Sequence, residues 1–357
     1  MKNLIRPSVR ALAAYVPGEQ PRDRRVVKLN TNENPYPPSP RVAATLRRFA
    51  AEPLRRYPDP VSCDLRRVVA RRCRCRVEQV FAANGSDEIL ALAFRAFTTP
   101  GGTVGYCWPS YSLYPVLAAI QELRPRPVPL NEDFSWRAPG RDYRADLFCL
   151  ARPNAPTGLS APKSAVRSFC HRFPGGVLID EAYADFAADN CLDLALSLPN
   201  VLVARTLSKS YSLAGLRLGY AVGPEPLIAA LFKLKDSYNL DRLAQALGAA
   251  ALDDPAHMRR NAARIRATRA RATAALRRMG FTLGDSQANF LWAQPPAGLP
   301  AAALFAALRR RGIYVRYFPG PLTGRNLRIT VGTNAEMNAL LKAIRAVLRG
   351  ASSGSQN

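Results

Sequence analysis

From Phe81 to Gly223 the chain alternates short, continuously apolar runs with stretches of helical periodicity, and no other feature limits its possible folds so much. The runs are QVFAAN (79–84), TVGYCW (103–108), DLFCLA (146–151), GVLIDEAY (176–183), NVLVART (200–206) and RLGYAVG (217–223). Several are apolar at consecutive positions instead of alternate ones, as strands buried on both faces must be. Between them DEILALAFRAF (87–97) and SAVRSFCHRF (164–173) read as helices. Alternation of this kind makes an α/β fold, a large and mostly parallel sheet covered by helices. Such sheets take ligands at the carboxyl ends of their strands, and the polar motifs of this chain fall there.

After about residue 245 the pattern changes. A long basic helix (255–279) precedes ANFLWAQ (288–294), a helix near 300–311, GIYVRYF (312–318), LRITVG (327–332) and a closing helix over 334–349. The expected organisation is an N-terminal arm over 1–28 packing with the small domain and a large domain over 29–245. A smaller α+β domain over 246–349 and a disordered tail over 350–357 would complete the chain. The tail has no large apolar residue to bury.

Hydrophobic residues make up 48% of the 357, enough for a sizeable core. No uncharged stretch reads as a membrane span, because the longest (96–121) is interrupted by glycines, prolines and tyrosines. The first 25 residues lack the apolar region of a secretory signal. Seven cysteines, an odd number with no Cys-x-x-Cys, and only two histidines point to reduced thiols in the cytoplasm and to no metal site. A net charge of +25 and a pI near 10.6 raise a nucleic-acid reading. The arginines, however, are spread along helices and not gathered among aromatics. No nucleic-acid partner is expected; the same field would draw in anionic metabolites.

Four motifs end strands of the sheet. NGSDE (84–88) opens a helix, where Gly85 permits a tight turn and the amides of Ser86 and Asp87 make an anion site. Alone it reads first as an ordinary helix cap. ARPNAPTG (151–158) sets Asn154 among prolines and, alone, is a rigid turn. VLIDEAY (177–183) carries two acids and Tyr183 at a buried strand end, where a carboxylate is costly unless it meets a cation. TLSK (206–209) places Lys209 in a chain whose basic residues are overwhelmingly arginine, and Arg217 follows in GLRLG. A lysine amine, unlike a guanidinium, can lose its proton and attack a carbonyl. Together these supply an anion cradle (Ser86, Asp87, Thr206, Ser208, Arg217) and an acid for a ring nitrogen (Asp180). They add donors for a phenolate oxygen (Tyr183, Asn154) and an amine for an aldehyde (Lys209). Pyridoxal 5'-phosphate needs all of them.

With these motifs, and with LNTNENPYPPSP (29–40), RYPDP (56–60), WPSYSLY (108–114), KDSYNLDRLAQ (235–245) and LRITVGT (327–333), the chain resembles the histidinol-phosphate aminotransferase family of fold-type I pyridoxal-phosphate enzymes over nearly its whole length. Alanine stands where the family usually has a second asparagine in PNAPTG, and tryptophan opens WPSY where smaller or acidic residues are common. The resemblance implies that Lys209 links to the cofactor and shuttles a proton, that Asp180 keeps the ring nitrogen protonated, and that Tyr111 stacks on the ring. It implies that Tyr57 crosses a homodimer interface to the neighbouring cofactor phosphate. Arg328 would grip the substrate's carboxylate or phosphate, with Arg316, Tyr15 and Asn32 as further substrate contacts. The implied reaction moves an amino group between L-histidinol phosphate and 2-oxoglutarate in histidine biosynthesis. An aromatic-amino-acid aminotransferase and a threonine-phosphate decarboxylase are the alternatives.

Overall fold

The computed structural model describes residues 4–353 apart from 14 and 24. Its centre is a seven-stranded sheet whose spatial order is Val80–Ala83, Gly219–Val222, Val201–Thr206, Gly176–Asp180, Leu147–Ala151, Thr103–Trp108 and Arg124–Pro129. The five strands from Val201–Thr206 to Arg124–Pro129 run parallel. Gly219–Val222 alone is antiparallel to both of its neighbours. The continuous apolar runs of the sequence are the strands buried on both faces. Leu147, Cys149, Leu178 and Leu202 face helices Gly85–Ala96, Leu113–Ile120 and Glu225–Leu234. Phe148, Ile179, Val201 and Val203 face helices Lys163–Arg172 and Leu192–Ser197.

The strand Arg124–Pro129 has no counterpart among the expected ones. Its sequence, RPRPVP, lies mostly exposed at the edge of the sheet, where prolines cost no inter-strand bond. No apolar run could announce it.

The C-terminal part builds a four-stranded antiparallel sheet from Arg316–Tyr317, Leu327–Thr330, Phe290–Gln294 and Thr282–Leu283. Helices Pro255–Arg278, Ala301–Arg310 and Asn334–Ser353 accompany it. GIYVRYF, expected as one strand, divides: Ile313–Tyr314 pairs in parallel with Val27–Lys28 of the arm, and Arg316–Tyr317 joins the four-stranded sheet. The change of pattern near 245 falls inside helix Arg242–Leu252, which packs on helices Pro40–Arg48 and Cys63–Cys73. The closing helix continues through Ser353, four residues past its expected end. Residues 354–357 of the expected tail lie outside the described residues. Among the described residues no helix is long and apolar enough to cross a membrane.

Candidate active site

A cavity of about 630 Å³ opens where the parallel strands end, and Trp108, Ala151, Asp180 and Thr206, each the last residue of its strand, lie on its wall. Asp180 is 5% exposed. Its Oδ2 accepts the Tyr114 hydroxyl at 3.0 Å and its Oδ1 the Ala182 amide at 3.2 Å; neither donor is a cation. Burial pushes its carboxyl up to about 6, with the Tyr114 hydroxyl pulling the other way. The adjacent acid is spent elsewhere. Glu181 accepts two bonds from Arg205, at 2.7 and 3.0 Å, and Arg205 also bonds Asp185 at 3.2 Å. Neither Glu181 nor Asp185 lines the cavity.

Lys209 donates from Nζ to the Thr31 carbonyl at 3.2 Å. Its backbone carbonyl is held by Asn34 Nδ2 at 3.0 Å, and that of Ser210 by the same amide at 3.2 Å. Burial, followed by the nearby charge of Arg328, lowers its ammonium to about 8. The shift enlarges the neutral fraction near neutrality, and the neutral amine is the nucleophile.

The anion cradle is assembled around one glycine. Gly85 begins helix Gly85–Ala96 with φ +78°, and a Cβ there would lie 2.7 Å from Arg217 Nη2. Arg217 approaches Ser208 Oγ at 3.4 Å and Asp87 Oδ2 at 3.5 Å. Thr206 Oγ1 donates to Ser208 Oγ at 3.0 Å. Tyr111 donates to Asp87 at 3.2 Å and meets Tyr15 edge-to-face at 5.9 Å. Tyr183 accepts from Asn32 Nδ2 at 2.9 Å, so its own hydroxyl proton is free to donate. Burial raises the Tyr183 pKa against the pull of Arg328, and the phenol keeps that proton.

The opposite wall comes from the arm and the C-terminal sheet. Arg328 donates from Nη2 to the Asn30 carbonyl at 3.0 Å and lies 5.5 Å from the Phe290 ring and 5.2 Å from that of Phe318. Its Nε is buried without a partner. Arg316 donates to the carbonyls of Val16 (2.8 Å) and Pro17 (3.1 Å) and shares the Phe318 ring at 5.2 Å. Asn32 is fixed by Thr330 Oγ1, which accepts its amide at 2.9 Å.

The structure thus brings Tyr15, Asn32, Ser86, Asp87, Tyr111, Asp180, Tyr183, Thr206, Ser208, Lys209, Arg217, Arg316 and Arg328 onto one cavity. Three expected residues are not on its wall, and the first, Gly85, opens the helix whose Ser86 and Asp87 are. Asn154 sits behind the lining, where its Nδ2 bonds the Pro109 carbonyl and Thr157 Oγ1, both at 3.1 Å, and its Oδ1 accepts Ser110 at 2.6 Å. Tyr57 is 75% exposed, stacked on Tyr238 at 4.3 Å, and outside the cavity. The sequence reading did not single out Tyr114, Thr31 or Phe318. Tyr114 was within reach, since it lies in WPSYSLY, but an aromatic in an apolar helix reads as core.

A family model, "Aminotransferase class I and II", matches residues 24–344. The chain belongs to the class I and II aminotransferases. Among its relatives in this family, the histidinol-phosphate aminotransferase 1 of Trichormus variabilis is 42% identical over 352 residues, covering 98% of this chain and 100% of that protein. The histidinol-phosphate aminotransferase of Syntrophotalea carbinolica is 44% identical over 343 residues, 96% and 99% of the two chains. The crystal structure of a histidinol-phosphate aminotransferase from Sinorhizobium meliloti in complex with pyridoxal-5'-phosphate superposes with a TM-score of 0.89 at 26% identity, covering 98% and 99%.

The residues fit that cofactor class. A buried carboxylate without a cation suits a protonated ring nitrogen, and a glycine at φ +78° opens a helix N-terminus that suits an anion. Lys209, with its lowered proton affinity, suits an aldehyde.

Proposed function

We propose that this aminotransferase transfers the amino group between L-histidinol phosphate and 2-oxoglutarate, with pyridoxal 5'-phosphate as cofactor, as a homodimer in the cytoplasm. The observation that carries the reading is one cavity holding a buried lysine of lowered proton affinity, a carboxylate without a cation and two arginines over one phenylalanine. When bound, the cofactor supplies an aldehyde for an amine and a protonated ring that accepts the electrons left when a Cα proton departs.

In this reading the Lys209 amine would hold the cofactor through its aldehyde carbon and, once released, would carry the proton from substrate Cα. Asp180 would hold a proton on the ring nitrogen, Tyr111 would stack on the ring, and Tyr183 would donate to its phenolic oxygen. Asn154 would brace the loop that carries Ser110 and Tyr111. Ser86, Asp87, Thr206, Ser208 and Arg217 seat the phosphate, with Gly85 giving the approach and Tyr57 reaching the partner subunit's site. Arg328 takes the glutamate carboxylate and, with Arg316 and Tyr15, the ester phosphate. A guanidinium binds both groups bidentately. Asn32 orients Tyr183 beside the substrate. Free thiols at all seven cysteines suit a reducing compartment, and an exposed Tyr57 suits a partner subunit.

Two measurements test this. Borohydride reduction of the loaded protein should fix the cofactor to the peptide carrying Lys209, and Lys209→Ala should lower turnover by roughly 10⁴-fold or more, since nucleophile and proton carrier vanish together. A panel of histidinol phosphate, phenylalanine, tyrosine and threonine phosphate with 2-oxoglutarate should give the highest kcat/KM for histidinol phosphate. Label on another lysine, or a preference for phenylalanine, overturns the corresponding half of the reading.

A further inference from the structure

Asp180 owes its environment to one residue that no part of the site assignment uses. Tyr114, on helix Leu113–Ile120, is fully buried. Its hydroxyl donates to Asp180 Oδ2 at 3.0 Å and its ring meets the edge of Tyr111 at 5.7 Å and 84°. Tyr106, from the neighbouring strand, packs on it at 6.0 Å. A buried tyrosine of this kind does more than fill space, since an unmade hydroxyl bond in such a place is costly. The groups facing Asp180 are otherwise acids or neutral: Asp87 from helix Gly85–Ala96, Glu181 just past the end of its own strand, Cys149 from strand Leu147–Ala151, and the phenols of Tyr111 and Tyr183. Each acid among them favours a protonated Asp180, and burial does the same. Besides the Ala182 amide, the Tyr114 hydroxyl is the bonded donor that opposes this pull.

We infer that Tyr114 is a positioning residue whose hydroxyl keeps Asp180 a weak base, so that the proton between Asp180 and the cofactor's ring nitrogen stays on the ring. The inference rests on the assignment of Asp180 to that nitrogen. A hydrogen bond given to a carboxylate stabilises its ionised form and weakens its claim on a shared proton. Without the hydroxyl, Asp180 would take a larger share, and the ring would lose the charge that makes it accept electrons. The same side chain aligns Tyr111, so one helix residue sets both the electrostatics and the stacking of the ring.

Tyr114→Phe keeps the ring and removes the donor. In the full chain without pyridoxal phosphate, thermal stability of the wild type should fall as pH rises towards about 6, the pH at which Asp180 ionises in the folded state. In Tyr114→Phe the end of that fall should move up by about one to two pH units. In an Asp180→Asn background the same substitution should cause no pH-dependent change. In the loaded enzyme, kcat should fall about 10-fold with KM for the amino donor within about twofold, and the visible band should titrate at a shifted pH. A pH profile parallel to wild type, or a shifted profile with unchanged kcat and band, overturns the inference. Failure of the underlying assignment looks different: Asp180→Asn would then keep wild-type turnover whatever Tyr114→Phe does.

Discussion

With only a hydroxyl and a backbone amide to hold it, Asp180 carries its charge at the expense of the cofactor-free protein. Its carboxyl titrates near 6 when folded and near 3.8 in the ordinary state. Between those values the native chain binds the extra proton, so stability falls as pH rises through this window. Above it the full penalty, about 3 kcal/mol, remains. Asp180→Asn should therefore raise the melting temperature of the cofactor-free protein by a few degrees at pH 7–8, and leave it little changed near pH 4. The same variant should lose most of its turnover, and calorimetry beside steady-state kinetics would show the opposition. Equal melting temperatures at pH 8 would mean that solvent reaches the carboxylate. The proposed roles of Arg328 and Arg316 differ by ligand. Arg328→Ala should impair both half-reactions, because its guanidinium is buried with Nε unpartnered. Arg316→Ala should lower kcat/KM for histidinol phosphate about 10- to 100-fold more than for glutamate, a phosphate offering more charge and more acceptors. Single-turnover kinetics of each half-reaction would decide it, and equal losses would refute a separate phosphate contact.

The elements that were legible in the sequence are those whose burial is symmetric. Strands such as Leu147–Ala151 and Val201–Thr206 are apolar throughout because helices cover both of their faces. The edge strand Arg124–Pro129 was not legible, since an exposed strand bounded by solvent carries no such pattern. Nor was the division of GIYVRYF between two sheets, because a change of partner leaves the local alternation intact. Likewise PNAPTG announced an asparagine at a strand end, but not that Pro109 and Thr157 would take its donors. The strand Gly219–Val222, antiparallel to both of its neighbours in the seven-stranded sheet, brings its own test. A Cβ on Gly219 would stand 2.7 Å from Gly85 C and Ser86 N and 2.8 Å from the Arg205 carbonyl, all backbone atoms that cannot turn aside. Gly219→Ala should push the cradle off the sheet and weaken pyridoxal phosphate binding by about 10-fold or more, measured by titration of the visible band. Unchanged affinity would show that the turn at Gly85 yields without loss.

At the scale of the molecule, Tyr57 is exposed and outside the cavity of its own chain, and its proposed place is the partner subunit's site. Mixing Tyr57→Ala subunits with Lys209→Ala subunits should restore about a quarter of wild-type activity by random pairing, one intact site in half of the dimers. No recovery would place Tyr57 outside the chemistry. The cavity itself is shared by distant stretches of chain: Arg328 bonds the Asn30 carbonyl, Asn32 bonds Thr330, and the Leu29 carbonyl takes the Thr330 amide at 2.9 Å. No motif displays such closure, and the sequence disclosed Arg328 only through its family resemblance. A ribosome delivers the two halves of this wall at opposite ends of synthesis. At about 5–20 residues per second, Lys209 emerges on the order of ten seconds before Arg328. During that interval the Lys209 amine exists without the far wall of its cavity, and the growing chain encloses that cavity only as a late segment returns to meet its first.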